Sequence, residues 1–503
     1  MNFVLYGPQT IIFFQPVSTR KHRVNPPPKE RIFSMLDLII RNGRVVDGKN
    51  RLNAITDLAV KDGKIVSVGS ITESAAQEVD ASGLLVIPGV IDSHMHASSW
   101  LAGPMSFRML AAAGVTTAME MAGPLECVKN YLRHDGAGLN IACLEYLRPG
   151  ENLPDNHPTT DTLDRLITDA LARGAFGVKL LGGHYPMTPE AEARLLHRTA
   201  ERGVWFAVHA GSTEHGSNIE GMREIIELAD GTPFHLCHIN AYCRGSVRPV
   251  EEEIAEATAL LESHPEIDTE SYLSPVNGCS GKCVNGVPES RVTCNCLKSG
   301  GYSVDANGVR AALLAGYAQA QKTENGIVVL ADRDESVAIW EAHQSDVPIS
   351  FHVNPALSRF YFAARKRSKK HFLVDSFCTD GGGIPRNVII ENGLSLVKFG
   401  AITLEEFVLK SSWAAARLMG LDTKGHFTPG ADADITVVDY AAQQAVHSFV
   451  AGRPILFNRK VVGSGGTLIT TPSGANAARE AGLGVRTVDM SSVFSYRLQR
   501  FHA

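Results

Sequence analysis

Between Leu36 and Val86 the chain alternates apolar and polar residues in short runs, "LDLIIRNGRVVDG", "AITDLAVKDGKIVSVG" and "AQEVDASGLLVIPG". A period of two predicts strands with one buried face. Asn42-Gly43 and Asp62-Gly63 read as hairpin turns between them. From Ile87 the pattern changes to apolar strands separated by amphipathic helices. "TDTLDRLITDALARGAFGVKLLGGHYP" reads as helix, turn and strand, and "TPEAEARLLHRTAERGVWFAVHAG" and "NIEGMREIIELADGTPFHLCHIN" repeat the scheme. Such repeats imply parallel strands covered by helices. Over this length the expected fold is α/β, a (β/α)8 TIM-type barrel, with a doubly wound sheet as the alternative.

Towards the end, "TLEEFVLKSSWAAARLMGL" has helical periodicity, and "KGHFTPGADADITVVDY" and "VHSFVAGRPILFNRKVVG" return to short strands. The two strand-rich stretches are expected to pair as a small β-sandwich domain built from both chain ends. The expected boundaries are 35–86 and 426–465 for that domain and 87–425 for the barrel. Residues 466–503, rich in Ser, Thr, Gly and Ala, read as a surface excursion. Residues 1–34 read as an unstructured extension, with Met35 as the expected natural start. "MNFVLYGPQTIIFFQP" has no basic stretch ahead of it and is broken by Gly7-Pro8, unlike a secretory signal, and "STRKHRVNPPPKERIFS" is basic and Pro-rich.

With 503 residues the chain can bury a large core. A net charge of -5 with 20% charged residues gives no general attraction to nucleic acid or acidic lipid. No apolar run is long enough to cross a bilayer. Nine cysteines is an odd count in a long chain, which argues for free thiols in a reducing, cytoplasmic compartment.

The chemistry begins at "IPGVIDSHMHASSW". Along a strand, His94 and His96 point to one side. Paired imidazoles are poor core filling, since they repel when protonated and are costly to bury when neutral. These residues alone leave metal binding and a solvated strand end both open. Later strands also finish on chemically capable residues: Lys179, His209 and His238. In a barrel the C-terminal strand ends meet at one mouth, so these positions share a site. Asp380, before three glycines, reads singly as a turn and jointly as a further ligand.

In order and context, "VIPGVIDSHMH", "GVKLL", "FAVHAG", "FHLCHIN", "CTDGGG" and "GADADITVVD" resemble the landmarks of the amidohydrolase superfamily over about residues 36–465. The chain looks most like the branch containing dihydroorotases, hydantoinases and D-aminoacylases. That resemblance implies two divalent metal ions, zinc foremost. His94, His96 and Asp380 would hold the more buried ion, and His209 and His238 the other, with Lys179 bridging them as a carboxylated lysine. It implies a metal-bridging hydroxide that attacks an amide carbonyl, with Asp380 moving the proton to the leaving nitrogen. Tyr185 is the expected oxyanion donor and His184 its competitor; Arg244 is the candidate for a substrate carboxylate.

The implied activity is hydrolysis of a non-peptide C–N bond in an N-acyl-D-amino acid, a hydantoin or a dihydropyrimidine. An aminohydrolase acting on a nitrogen heterocycle is the alternative, and an inactive hydantoinase-like scaffold is the alternative of another class. The expected partner is a small molecule, with no nucleic acid or membrane, and the resemblance implies a homo-oligomer. Two departures stand out. Glu214 lies five residues after His209 rather than three, and Glu120 occupies a stretch where D-aminoacylases often supply a cysteine; for Glu120 a metal neighbour and a buried, paired carboxylate are both open, the second preferred. Cys279, Cys283, Cys294 and Cys296 fall in an insertion at about 272–302, expected to be a mouth loop, where structural zinc, disulfides and free thiols all stay open. His235 reads as packing. "FHVNPALSRFYFAARKRSKKHF" reads mostly as a solvated helix face.

Overall fold

Eight parallel strands close into a barrel in the computed structural model, which describes residues 35–98, 103–368 and 371–493. The extension expected at 1–34 lies outside the described residues. The strands are β1 (Val90–His96), β2 (Val115–Glu120), β3 (Asn140–Leu147), β4 (Gly177–Leu181), β5 (Trp205–His209), β6 (His235–Leu236), β7 (Asp268–Tyr272) and β8 (Ser376–Cys378, continuing at Gly381–Gly382). β8 closes the ring, pairing with β7 through Glu270↔Ser376 and with β1 through Gly381↔Met95. Asp92 secures this seam: its buried carboxylate accepts from the Thr379 N–H at 2.9 Å and the Thr379 hydroxyl at 2.5 Å.

The helices expected around the barrel form where the caps allow. Thr159 accepts from Thr162 N–H before Thr160–Arg173, Thr188 accepts from Ala191 N–H before Pro189–Glu201, and Asn218 caps Ile219–Ala229. Each cap satisfies otherwise orphaned donors and contributes about 1 kcal/mol. Their apolar faces, among them Leu163, Ile167, Leu195, Leu196, Ile225 and Ile226, join the barrel strands in one buried core.

The strand-rich ends are hydrogen-bonded into one continuous nine-stranded sheet. Leu85–Pro88 pairs with Ile435–Asp439 and so ties the two chain ends together. Asp62-Gly63 is a hairpin turn between Leu52–Lys61 and Lys64–Gly69. Asn42-Gly43 is not: the strand Leu36–Asp47 runs straight through it with a bulge between Ile40 and Gly43. Asn42 takes φ +60°, its N–H donates to Asp57 at 3.0 Å, and a Cβ on Gly43 would come within 2.4 Å of Val86 Cγ2. Turn-type residues here re-aim a strand instead of reversing it. From Leu36 on, the described residues form one compact unit.

Two further expectations are corrected. Residues 467–470 are not a surface excursion: Thr467–Thr470 pairs in parallel with Asn140–Ala142 at the start of β3, with Leu468 and Ile469 fully buried. The surrounding small residues hid this short apolar run. The insertion is also larger than 272–302 and is no simple loop. Asn277–Ser280, Ala318–Glu324, Ile327–Leu330 and Pro348–Phe351 form a four-stranded antiparallel sheet. With the helices Arg291–Ser299, Ala306–Ala315 and Arg333–Ala342 it encloses its own core around Leu297, Leu313, Ile349 and Phe351. In the basic segment, Ala356–Ala364 is helical, but Arg359 is buried and donates to the Leu273 and Asn354 carbonyls.

Candidate metal centre

β1 delivers His94 and His96 to the mouth of the barrel with ring centroids 5.0 Å apart, as alternation along a strand requires. Opposite them, Asp380 sits in the break of β8 at φ +50°, and His238 follows β6 at φ +30°. Two non-glycine residues in the left-handed region, after β6 and in the break of β8, store backbone strain where side chains converge. Ligand atoms of His94, His238 and Asp380 lie within 4.8 Å of one another, and all three residues are buried.

The remaining expected ligands join this trio. His96 Nε2 is 2.8 Å from Asp380 Oδ1, and His94 Nε2 is 3.5 Å from the same oxygen. Lys179, at the centre of β4 and 1% exposed, brings Nζ to 2.9 Å from His94 Nε2. His209 Nδ1 is 3.1 Å from His238 Nε2, while its Nε2 is 2.8 Å from the Ser217 hydroxyl. All six side chains are thus linked at one mouth.

Burial holds the imidazoles neutral: it pushes His238 down to about 3 and His94 and His209 well below their usual range, with the Lys179 charge adding to the effect. Burial alone would raise Asp380, but the Arg386 guanidinium beside it holds its carboxyl well below the usual range. Arg386 pairs with Asp380 Oδ2 and donates to the Asp380 carbonyl and, at 3.1 Å, to the Val276 carbonyl. Neutral imidazoles and an ionised carboxylate are the donor forms that divalent cations take. His96 Nδ1 and His238 Nδ1, both buried, have no hydrogen-bond partner among the described residues. The donor set fits a metal centre.

The structure separates Tyr185 from His184. The His184 ring stands 5.0 Å from that of His209, whereas Tyr185 is capped by the Arg148 guanidinium at 4.1 Å. Arg244 is half-buried and positioned: Nε donates to Asn354 Oδ1 at 3.0 Å, and Nη2 donates to the Tyr272 hydroxyl at 3.0 Å and Asn277 Oδ1 at 3.2 Å. Glu120 accepts from the N–H groups of Ala97, Ala122 and Gly123 at 3.2, 3.1 and 2.8 Å, so it braces the loop after β1. The four insertion cysteines are free thiols, and Cys279 Sγ accepts from the Thr293 hydroxyl at 3.2 Å.

The sequence reading missed Arg386, Glu270 and Asp268, and it took His235 for packing. Glu270 Oε1 lies 2.8 Å from His94 Nδ1 and accepts from the His238 N–H at 2.8 Å. Its other oxygen pairs with His235, whose Nδ1 is 2.5 Å from Asp268 Oδ1. The signal was there: Asp268, Glu270 and Tyr272 alternate in "DTESY" by the same period that singled out His94 and His96.

A closed (β/α)8 barrel carrying a buried imidazole–carboxylate cluster at its C-terminal mouth, completed by a sheet from both chain ends, is the class of protein these features define. A profile described as "Amidohydrolase family" matches residues 294–470. A D-aminoacylase of Alcaligenes xylosoxydans xylosoxydans is 27% identical over 229 residues, 45% of this chain and 42% of that protein. A dihydroorotase of Streptococcus pneumoniae is 50% identical over 60 residues, 12% of this chain and 14% of that one. These matches span less than half the length of either relative. Among solved structures, an N-acyl-D-glutamate deacylase from Bordetella bronchiseptica, complexed with zinc and a phosphonate inhibitor, shares the fold with a TM-score of 0.61 at 17% identity, over 86% of this chain and 99% of that one. Among the described residues no helix is long and apolar enough to cross a membrane.

Proposed function

We propose that this chain is a metal-dependent hydrolase of non-peptide amide C–N bonds, acting on an N-acyl-D-amino acid or a cyclic amide such as a hydantoin or dihydropyrimidine. The observation that carries the reading is the convergence of His94, His96, Lys179, His209, His238 and Asp380 from four strands, β1, β4, β5 and β8, and the turn after β6. In this reading the four histidines, Asp380 and a carboxylated Lys179 would together hold two divalent ions, zinc foremost. An unmodified ammonium beside two cations would be repelled, and the CO2 adduct turns the same side chain into an anionic oxygen donor. Bound divalent ions supply an acidified water and a polarised carbonyl.

The chain's own groups do the rest. Arg386 occupies Asp380 Oδ2, so Oδ1 is the atom that takes a proton and returns it to the leaving nitrogen. His184 stands near enough to His209 to serve the developing oxyanion, and the geometry favours it over Tyr185. Arg244, held by Asn277 and Asn354, offers its guanidinium to a substrate carboxylate. The nine free thiols agree with a cytoplasmic setting.

The test is metal content on protein purified without added metal, for wild type and Lys179→Ala, followed by a screen of N-acyl-D-amino acids, hydantoins and dihydropyrimidines. About two ions per chain, falling sharply in the variant, together with turnover of one class, is the expected result. One ion per chain that is indifferent to Lys179 refutes the bridged centre, and ammonia release from a heterocycle would replace this activity with deamination.

A further inference from the structure

Beneath the cluster, four titratable groups run in a line through the barrel interior: Asp268, His235, Glu270 and His94, each with no exposure. Each touches the next. Asp268 Oδ1 meets His235 Nδ1 at 2.5 Å, His235 Nε2 meets Glu270 Oε2, and Glu270 Oε1 meets His94 Nδ1 at 2.8 Å. Four buried ionisable side chains inside a barrel are too costly to be filler unless each is hydrogen-bonded and the array serves a purpose.

We propose that Glu270, anchored by His235 and Asp268, is a positioning residue that keeps the His94 hydrogen on Nδ1 and so reserves Nε2 for a metal ion. This deepens the proposed function and rests on its reading of His94 as a ligand. A carboxylate can only accept, so the ring nitrogen facing Glu270 must donate. The other side of the ring agrees: the Lys179 ammonium can only donate, so Nε2 must accept it at 2.9 Å. Carboxylation of Lys179 would remove that second constraint and leave Glu270 alone to hold the tautomer. Glu270 is suited to the task because it cannot swing away. Oε1 also accepts the His238 N–H at 2.8 Å, and Oε2 is held by His235. The same carboxylate therefore fixes the ring of one expected ligand and the backbone of another. An oriented outer partner of this kind is worth roughly 10- to 100-fold in metal affinity.

Glu270→Gln separates tautomer from charge. A glutamine can still accept from His94 and turn its amide N–H toward His235, which can accept on Nε2 while donating from Nδ1 to Asp268. Glu270→Leu can do neither. Zinc affinity of metal-stripped protein, read by competition with a chromophoric chelator, should stay within about threefold for Glu270→Gln and weaken roughly 10- to 100-fold for Glu270→Leu. Equal losses in both variants would make charge the cause, and an unchanged Glu270→Leu would make the line mere packing; either overturns the proposal. Nitrogen-15 NMR of histidine-labelled, metal-free wild type, with His94 assigned by its loss in His94→Asn, needs neither variant to fold. The expected signature is protonated Nδ1 with bare Nε2, and the opposite tautomer refutes the proposal. If wild type takes up no zinc, the metal reading fails, while the tautomer still decides the role of Glu270.

Discussion

Glu192→Gln should make the protein more stable than wild type at alkaline pH, by an amount that the structure sets. Glu192 lies in the first turn of Pro189–Glu201 and is 1% exposed. Burial, with Glu224 repulsion added, pushes its carboxyl from 4.5 to about 9, against an opposing N–H from Met187. Between those two values the folded chain holds a proton that the unfolded chain has released, so wild-type stability falls as pH rises from 4.5 through 9. From pH 5 to pH 8 the change is three units, at most about 4 kcal/mol at 1.4 kcal/mol per unit, and about 2–4 kcal/mol after relaxation of the site. A glutamine of similar volume removes this slope. Its own cost of burying an amide is the same at both pH values and cancels in the comparison. Urea unfolding of both proteins at pH 5 and pH 8 in excess chelator, which excludes metal linkage, is the assay. The stability difference between variant and wild type should move by about 2–4 kcal/mol in favour of the variant on going to pH 8. Parallel pH dependence in the two proteins would refute the reasoning and mean that Glu192 is ionised in the fold.

Glu120→Ala strands three N–H groups after β1 and β2, and should cost about 3–5 kcal/mol in urea unfolding; a loss below about 1 kcal/mol would deny Glu120 its bracing role. Cys294→Ser should leave zinc content unchanged, because the insertion has its own apolar core and its cysteines are free thiols. Zinc lost in that variant by plasma mass spectrometry would place a second metal there.

The barrel and most of its mouth were legible because strand ends carry a local signal. An apolar run that ends in His or Asp, or carries a Lys as "GVKLL" does, is visible in five or six residues, and alternation alone put His94 and His96 on one face. Long-range geometry was not legible in the same way. "DTESY" has no apolar run, so β7 and with it Glu270 did not announce themselves, although the strand is wholly buried. His235 read as packing because its partners, Asp268 and Glu270, are 33 and 35 residues on in the chain. Asn42-Gly43 looked like a turn because the residue types that suit φ > 0 serve bulges equally well. The insertion was underestimated because its cysteines drew the boundary, whereas its sheet is completed only at Phe351.

The closing seam between β1 and β8 also has a history in time. His96 and Asp380, 2.8 Å apart in the fold, are 284 residues apart in the chain. At about 5–20 residues per second, a ribosome that has just released His96 needs roughly 15 to 60 seconds to deliver Asp380. Throughout that interval the nascent barrel is an open sheet with two unpaired edges; His209 and His238 join the imidazoles on the way, but the Asp380 carboxylate is still missing. Joining its ends then costs roughly 5 kcal/mol in loop entropy, which only completed pairing and burial can offset. The mouth therefore gains its last ligand only with β8, and truncation anywhere before β8 leaves ligands without a centre.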